Sequence, residues 1–522
     1  MQEQLDHHWN RGQHFETVRD LPSAQAEYEA LLQLDGSHVP ARLRVSRFEQ
    51  FKGHYRLARR HALQAADAIR SGGSTRHVAH VTLRLLDFSE GVEVASVILS
   101  SDWSDPHVLA QSPMLAQHLW LAGRYEDALR FLDSVIPRLP PHPMLLFTRA
   151  NVLRYLGRMD EAGMLYEQCL ALRPASPDAH WAIATHSRAM PLDARIARLR
   201  EARAHAAEGL EQAHLDYALF RELDGAGDPS AAWDALAEGA RTMQGLISHD
   251  AQAETSRLQG MMRGQWLPPA SSAIHAEQPI PVFIVGLPRT GTTLLDRMLG
   301  NHGWVTSAGE RNDFSASVSE VADRFFTHMA NVHDPEALLE ADHRAIGHLY
   351  MQRLNQHASA TALAIDKNPL NLFNLPLILR ALPQAKILIL ERDAMDSAFS
   401  NLKELFQGGA HPYSYDFGDL AAHVRISLQW IRYWAKAAPG AVHVVRYEDL
   451  VKDTEASMLA ILDFLGLPYQ QGIADITRNS TPVATASSSQ VREPVNDRSM
   501  GGWRRYASQL EPLRLLMEDA GE

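Results

Sequence analysis

A glycine-rich loop in the second half of the chain has the residue pattern best suited to chemistry. In PVFIVGLPRTGTTLLDRMLG an apolar run ends at Val285, a loop extends from Gly286 to Gly291, and Thr292 begins an apolar-periodic helix. Successive backbone N–H groups in such a loop, with a helix dipole behind them, bind anions. The segment therefore predicts a phosphate-type site, and a glycine-rich turn without a ligand is the alternative.

The loop lacks the lysine that ATP- and GTP-binding loops carry. Gly286, Gly291 and Thr293 match the pattern G-x-x-x-x-G-K-[ST], but Thr292 occupies the lysine position. That lysine reaches the β- and γ-phosphates, and no strand with a convincing metal-binding Asp supports it here. The pattern favours an anionic ligand without triphosphate chemistry, so a kinase or nucleotidase is a competing class that the loop disfavours.

Four further motifs follow the loop in a fixed order. The order is P-R-T-G-T-T, A-G-E, D-K-N-P, L-E-R-D with a later Ser, and V-R-Y-E-D-L. Over about residues 280–506 this combination resembles the sulfotransferase family. The closest resemblance is to protein-tyrosine sulfotransferases and to bacterial proteins that join tetratricopeptide repeats to that domain. It implies 3′-phosphoadenosine 5′-phosphosulfate (PAPS) as sulfuryl donor and adenosine 3′,5′-bisphosphate as product. The 26 histidines are scattered without the spacing of a catalytic zinc centre, so no metal is expected.

The resemblance also implies which residues bind the donor. An Arg at a strand end and a Ser eight residues later hold the 3′-phosphate, which here are Arg392 and Ser400. A Ser400 hydroxyl that caps its own helix is the alternative. Tyr447 matches a family tyrosine near the nucleotide, or it is a core aromatic after a buried strand. The residues that match the 5′-phosphosulfate loop are Arg289, Thr290, Gly291, Thr292 and Thr293.

The catalytic residues follow from the same resemblance. Glu310 matches the general base that takes the proton of the acceptor hydroxyl, and a carboxylate within hydrogen-bond reach suits that role. Lys367 matches the lysine near the bridging oxygen, and Arg289 adds charge at the same oxygens. His302 is the competing base, unless it only ends the loop helix. The neighbouring Asp366 is expected at most to form an ion pair with Lys367. Glu448 and Asp449 are expected to start the helix that follows Tyr447 and to take no part in the chemistry.

The C-terminal segment departs from the family pattern. Ser487 is the best counterpart of a family Ser that contacts the nucleotide, and it completes the predicted catalytic set. The family's basic residue falls on Gly502, which supplies no charge. The possible replacements are Arg498, Arg504 and Arg505.

Three apolar, β-branched runs predict the elements that position these residues. They are PVFIVG, AKILILE and VHVVRY, and helical stretches separate them. This alternation predicts a parallel α/β sheet. Tyr413 and Tyr415 lie between the second and third runs, where they either border the acceptor site or pack on the helical repeats.

The first half of the chain predicts an all-α domain made of tetratricopeptide-like repeats. It is rich in Ala, Leu, Arg and Glu, and residue pairs recur 34 residues apart. We expect repeats over 1–245, a linker over 246–278 and a PAPS-dependent sulfotransferase domain over 279–522; an unrelated helical bundle is the alternative for the first half. The recurring pairs are Gly123 and Gly157, Ala128 and Ala162, and Pro140 and Pro174.

Composition narrows the class of protein. A net charge of −12 argues against a nucleic-acid binder, and a single cysteine excludes an internal disulfide. We find neither a signal peptide nor a long apolar run, and expect a cytoplasmic protein without membrane contact. The predicted function is O-sulfation of tyrosine in a peptide or protein. The extended surface of a repeat array suits a chain-like acceptor of this kind. A carbohydrate or small-molecule acceptor, or a catalytically inactive repeat scaffold, are the alternatives, and the oligomeric state is left open.

Overall fold

The computed structural model describes residues 1–186, 190–264, 279–358, 361–406, 408–479, 481–482 and 492–518. Contacts between residues divide the chain into two units. One comprises Met1–Leu156 with Ser315–Thr327, and the other comprises Gly157–Phe314 with His328–Glu522. Each unit has hydrophobic clusters of its own.

The first unit is built from consecutive helices joined by short turns. Alanines on one face of its fourth helix are fully buried, which lets neighbouring helices approach closely. Phe325, from the short segment that joins this unit, packs its ring 5.1 Å from the ring of Tyr55. The helices are α1 Gln2–Thr17, α2 Leu21–Leu34, α3 Val39–Phe51, α4 Tyr55–Arg70, α5 Val78–Leu86, α6 Gly91–Ser100, α7 Pro106–Leu121, α8 Tyr125–Val135 and α9 Pro143–Tyr155.

The second unit begins with further helices of the same kind. Gly157 precedes its first helix at φ 86°, as Gly123 precedes α8 at φ 76°, and the left-handed region favours glycine at both turns. The helices are α10 Met159–Leu172, α11 Pro177–His186, α12 Leu192–His205, α13 Leu210–Ala226, α14 Pro229–Leu246 and α15 Ala251–Arg263.

A parallel sheet forms the centre of the second unit. Its strand order is β2-β3-β1-β4-β5, and all four neighbouring pairs are parallel. The central strand is buried along almost its whole length, as expected for a strand covered on both faces. The strands are β1 Ile280–Gly286, β2 Val305–Ser307, β3 Leu363–Asp366, β4 Lys386–Glu391 and β5 Val442–Arg446.

Helices connect the strands and join the sheet to the preceding helices. One hydrophobic cluster contains side chains of α12, α13 and α14 together with Leu287, which directly follows β1, and Phe399. The remaining helices are α16 Thr292–Leu299, α17 Asp313–Ala322, α18 His343–Asn355, α19 Leu375–Ala381, α20 Ala394–Leu402, α21 Phe417–Ala437, α22 Tyr447–Lys452, α23 Thr454–Leu465 and α24 Glu511–Glu518.

The predicted fold class is confirmed: a helical N-terminal region precedes an α/β domain with a parallel sheet. The assignment of the helices to tetratricopeptide repeats stays a prediction, and so do the domain boundaries. Within the predicted linker, residues 251–263 form α15, whose buried Glu254 accepts a hydrogen bond from His423 of α21 at 2.9 Å. Residues 265–278 lie outside the described residues.

Candidate active site

The predicted site residues lie at the carboxyl edge of the sheet. The loop Gly286–Gly291 follows β1, Lys367 directly follows β3, Arg392 directly follows β4, and Tyr447 directly follows β5. Glu310 comes three residues after β2 ends. Because the carboxyl ends of parallel strands share one edge, this topology brings together residues that are far apart in sequence.

The loop has the geometry of an anion cradle. Gly291, the N-cap residue of α16, has φ 105° and no side chain with which to cap the first turn, and the first N–H groups of a helix have no partner within the helix. The buried Thr290 hydroxyl donates to the Leu287 carbonyl at 2.7 Å and closes the loop. Thr292 and Thr293 are the first residues of α16 and are buried. These positions match the sequence prediction of a strand, a loop and a helix.

Arg392 and Tyr447 are packed against this loop. The Arg392 guanidinium donates to the Arg289 carbonyl at 3.1 Å and to the Ser499 carbonyl, and it lies 4.6 Å from the centre of the Tyr447 ring. A Cβ added to Gly291 would come within 2.5 Å of the same ring. Tyr447 therefore packs against both the loop and the arginine, and glycine at 291 permits this contact.

Ser400 lies on α20 and is buried. Among the described residues its hydroxyl forms no hydrogen bond with Arg392, so a shared 3′-phosphate site stays a prediction. The next residue, Asn401, donates to the Pro288 carbonyl at 3.0 Å and holds α20 against the loop.

Lys367 and Glu310 form an ion pair at the neighbouring strand ends. The Lys367 ammonium, 2% exposed, donates to the Glu310 carboxylate, which is 45% exposed. The pair joins a solvent-accessible carboxylate to a buried cation. Its partners are 57 residues apart in sequence, and only the order of the strands brings them together.

Asp366 has a separate partner. The Tyr350 hydroxyl donates to its carboxyl at 3.1 Å, and burial, followed by the nearby Asp313, raises the Asp366 pKa well above its usual range. The expected alternative, an ion pair between Asp366 and Lys367, is therefore not formed. Burial also raises the pKa of Asp296 on α16, and the Lys367 charge is the main influence that opposes this rise. Lys367 thus lies close to the loop helix as well as to Glu310.

His302 is occupied by structural hydrogen bonds. Its Nδ1 accepts from the Trp304 N–H at 3.1 Å, which leaves Nε2 protonated to donate to the Pro468 carbonyl at 3.0 Å. The ring is 1% exposed. Both nitrogens are engaged, so the geometry disfavours His302 as the competing general base.

The C-terminal predictions have different outcomes. Ser487 lies outside the described residues. The candidates for the charge missing at Gly502 have contacts of their own: Arg498 pairs with Glu493, and Arg505 pairs with Asp224. Arg504 lies over the ring of Trp503.

Tyr413 and Tyr415 are buried packing residues. Tyr413 stacks on His423 with ring centres 3.4 Å apart, and the Tyr415 hydroxyl accepts from the Phe406 N–H at 3.0 Å. Tyr415 also meets Tyr217 of α13 edge to face. Of the two expected roles, packing on the helical region is the one that the geometry favours.

Sequence reasoning missed several residues around the loop. Asp396 accepts from the Gly501 N–H at 2.6 Å, and Ser499 bonds the Tyr447 hydroxyl at 2.8 Å. Asp396 lies in the first turn of α20, and its carboxylate is 3.9 Å from the Arg392 guanidinium; its acidic side chain four residues after Arg392 was the available signal. No sequence signal pointed to Ser499 or to Glu404, whose partners come from distant segments.

Metal-binding clusters and membrane-spanning helices are both absent from the described residues. Among those residues no group of three or more His, Cys, Asp or Glu side chains is arranged to hold a metal ion. None of the helices within the described ranges combines the length and the apolar character that crossing a membrane requires.

Residues 281–471 match a family model described as "Sulfotransferase family". An uncharacterized protein of Aquifex aeolicus (strain VF5) is 25% identical over 407 residues, which cover 75% of this chain and 52% of that protein. The protein-tyrosine sulfotransferase of Drosophila melanogaster is 25% identical over 250 residues, which cover 44% of this chain and 48% of that protein. This chain thus spans about half the length of these two relatives.

Solved structures also match parts of this chain, with low identity and low TM-scores. The sulfotransferase domain from the Synechococcus PCC 7002 olefin synthase is 21% identical, with a TM-score of 0.34, over 50% of this chain and 99% of that chain.

Proposed function

Residues 281–471 belong to the sulfotransferase family, and from this premise we propose that the protein transfers the sulfuryl group of PAPS to an acceptor hydroxyl. The observation that carries the proposal is the ion pair between Glu310 and Lys367 at the sheet edge that also holds the loop. It combines a proton acceptor with a cation beside an anion cradle, and sulfuryl transfer needs all three.

The donor site in this proposal is built from the loop and the residues packed on it. The N–H groups at the start of α16, together with Arg289, hold the 5′-phosphosulfate, and Arg392 with Ser400 holds the 3′-phosphate. The Tyr447 ring packs against the loop at Gly291. The absence of a loop lysine fits this donor, because it has no γ-phosphate to bind.

Two side chains carry the chemistry. Glu310 takes the proton of the acceptor hydroxyl while the acceptor oxygen bonds to sulfur and the bond from sulfur to the bridging oxygen breaks. Lys367 stabilises the negative charge that develops on the bridging oxygen, and Arg289 adds to that stabilisation. Ser487 completes the proposed set. The reaction is proposed to need no metal.

The proposed acceptor is a tyrosine of a peptide or protein. Similarity to the protein-tyrosine sulfotransferase of Drosophila melanogaster supports this acceptor. Extended helical arrays bind chain-like ligands, which gives the N-terminal helices a role in acceptor binding. A single cysteine is compatible with the cytoplasm as the proposed location.

The test is a transfer assay with labelled PAPS against panels of tyrosine peptides and glycans. We expect label in the peptides, formation of adenosine 3′,5′-bisphosphate, and no loss of activity with a chelator. Label in glycans alone would identify a carbohydrate acceptor. Binding of ATP with magnesium but not of PAPS would support a kinase, and binding of PAPS without transfer to any acceptor would support the scaffold.

A further inference from the structure

A buried carboxylate, Glu404, lies between the phosphate loop and the preceding helices. It comes two residues after α20 ends and is 5% exposed. One of its oxygens, Oε2, accepts a hydrogen bond from the Arg221 guanidinium at 2.8 Å and lies 3.8 Å from Nε of Arg289. A single carboxylate oxygen thus joins a loop arginine to an arginine of α13.

Arg221, the α13 partner of Glu404, is held in place by its neighbours. The Arg221 guanidinium lies over the ring of Trp181 at 4.5 Å, which restricts its orientation. One turn earlier on α13, the buried Tyr217 hydroxyl donates to the Leu402 carbonyl at 3.1 Å. α13 therefore contacts this segment at two points, the Leu402 carbonyl at the end of α20 and the Glu404 carboxylate two residues later.

The loop side of the bridge is strained. Arg289 has φ 68°, a left-handed conformation that raises the energy of a non-glycine residue by about 1–2 kcal/mol. The hydrogen bond from Arg392 to its carbonyl holds the backbone. The Arg289 side chain is 11% exposed and extends towards Glu404. Arg392 thus holds the Arg289 backbone, and Glu404 lies beside its side chain.

The surroundings of Glu404 are rich in positive charge. Burial, followed by the charges of Arg221 and Arg289, lowers the pKa of the neighbouring Lys403 to about 8. Cations this close repel one another, and a buried carboxylate between the two arginines offsets that repulsion.

We propose that Glu404 and Arg221 are positioning residues of the donor site: Arg221 fixes the Glu404 carboxylate, and the carboxylate orients the Arg289 guanidinium for the donor's anionic group. The inference rests on the proposed function, because it assumes that Arg289 binds the donor. It makes α13, a helix of the N-terminal region, a part of the transferase unit.

Replacement of Glu404 by Gln tests the proposal, because charge and positioning have opposite effects. Removing a negative charge near an anion site strengthens anion binding if only electrostatics matter. If Glu404 orients the Arg289 guanidinium, its replacement weakens anion binding. We expect the full-length E404Q chain to bind adenosine 3′,5′-bisphosphate and PAPS about tenfold more weakly in titration calorimetry, the effect of losing one well-oriented charged hydrogen bond.

A double-mutant cycle with Arg289→Ala separates positioning from general destabilisation. If Glu404 acts through Arg289, E404Q has no further effect on donor affinity in the Arg289→Ala background. Arg221→Gln disturbs the same carboxylate from α13 and should show the same dependence on Arg289, which keeps the test informative if E404Q folds poorly.

Glu222→Gln is the matched control. Glu222 directly follows Arg221 on α13 and is buried, as Glu404 is. Its carboxylate accepts a hydrogen bond from the Arg195 guanidinium at 2.8 Å. Its replacement should lower the melting temperature without changing donor affinity. Wild-type chain that binds neither nucleotide would refute the proposed function together with this inference. Wild-type binding combined with unchanged or tighter binding by E404Q, or with an equal loss in both backgrounds, would refute this inference alone.

Discussion

Replacement of Glu310 by Gln tests the proposed chemistry most directly. The substitution keeps the shape of the side chain and removes its ability to take a proton. The Gln carbonyl still accepts from the buried Lys367 ammonium, so that cation keeps a partner. A general base contributes about 10²–10⁴-fold to a rate, and we expect turnover to fall by that factor.

The effect on stability should be small, because the Glu310 side chain is 45% exposed. Solvent screens a pair with such a carboxylate, and we expect the free energy of unfolding to fall by about 1 kcal/mol or less. Affinity for adenosine 3′,5′-bisphosphate should stay within about threefold, which corresponds to less than 1 kcal/mol.

The assay compares initial rates of labelled transfer, calorimetric affinity and thermal unfolding for the wild type, E310Q and a control, Asp449→Asn. Asp449 is an exposed carboxylate at the same sheet edge and should be dispensable, since it only lies in the first turn of α22. Unchanged turnover in E310Q would refute the assignment of the base. Loss of nucleotide affinity with preserved turnover at saturating donor would show that Glu310 acts on donor binding instead.

Three further substitutions test the packing of the loop, the role of His302 and the pH dependence of stability. Gly291→Ala places a methyl group 2.5 Å from the Tyr447 ring at φ 105°, and we expect at least tenfold weaker nucleotide binding in calorimetry. His302→Gln should lower the free energy of unfolding by about 1–3 kcal/mol, because it disturbs two buried hydrogen bonds, while kcat stays unchanged; a large fall in kcat would restore His302 as the base. Burial lowers the pKa of His328 from 6.5 to about 4. The unfolded chain therefore takes up this proton first, and stability falls by up to about 3 kcal/mol as the pH drops from 6.5 to 4. In His328→Gln, the free energy of unfolding measured with denaturant should change less steeply with pH between 6.5 and 4. An unchanged slope would contradict the assignment of this effect to His328.

The loop and the longer strands were predictable because their signals are local. β1 and β4 contain continuous apolar runs, β5 is rich in valine, and the glycines around Arg289 mark the loop directly in the sequence. β2 and β3 were not singled out, because strands of three and four residues are too short to give a periodic signal. Their positions next to β1 come from pairing with a neighbouring strand, which no local pattern encodes.

The amino-acid sequence by itself predicted the fold class from its periodicity and the glycine-rich loop from its local pattern. Its short motifs, through their resemblance to sulfotransferases, named Glu310, Lys367 and Arg392 as candidates. Only the tertiary structure decided which partners these groups have. The pairing of Lys367 with Glu310 rather than with Asp366 depends on the order of the strands, and the hydrogen bond between Arg221 and Glu404 joins residues 183 positions apart. Such contacts arise when distant segments pack into one core, and the energy of that packing is a property of the folded chain as a whole.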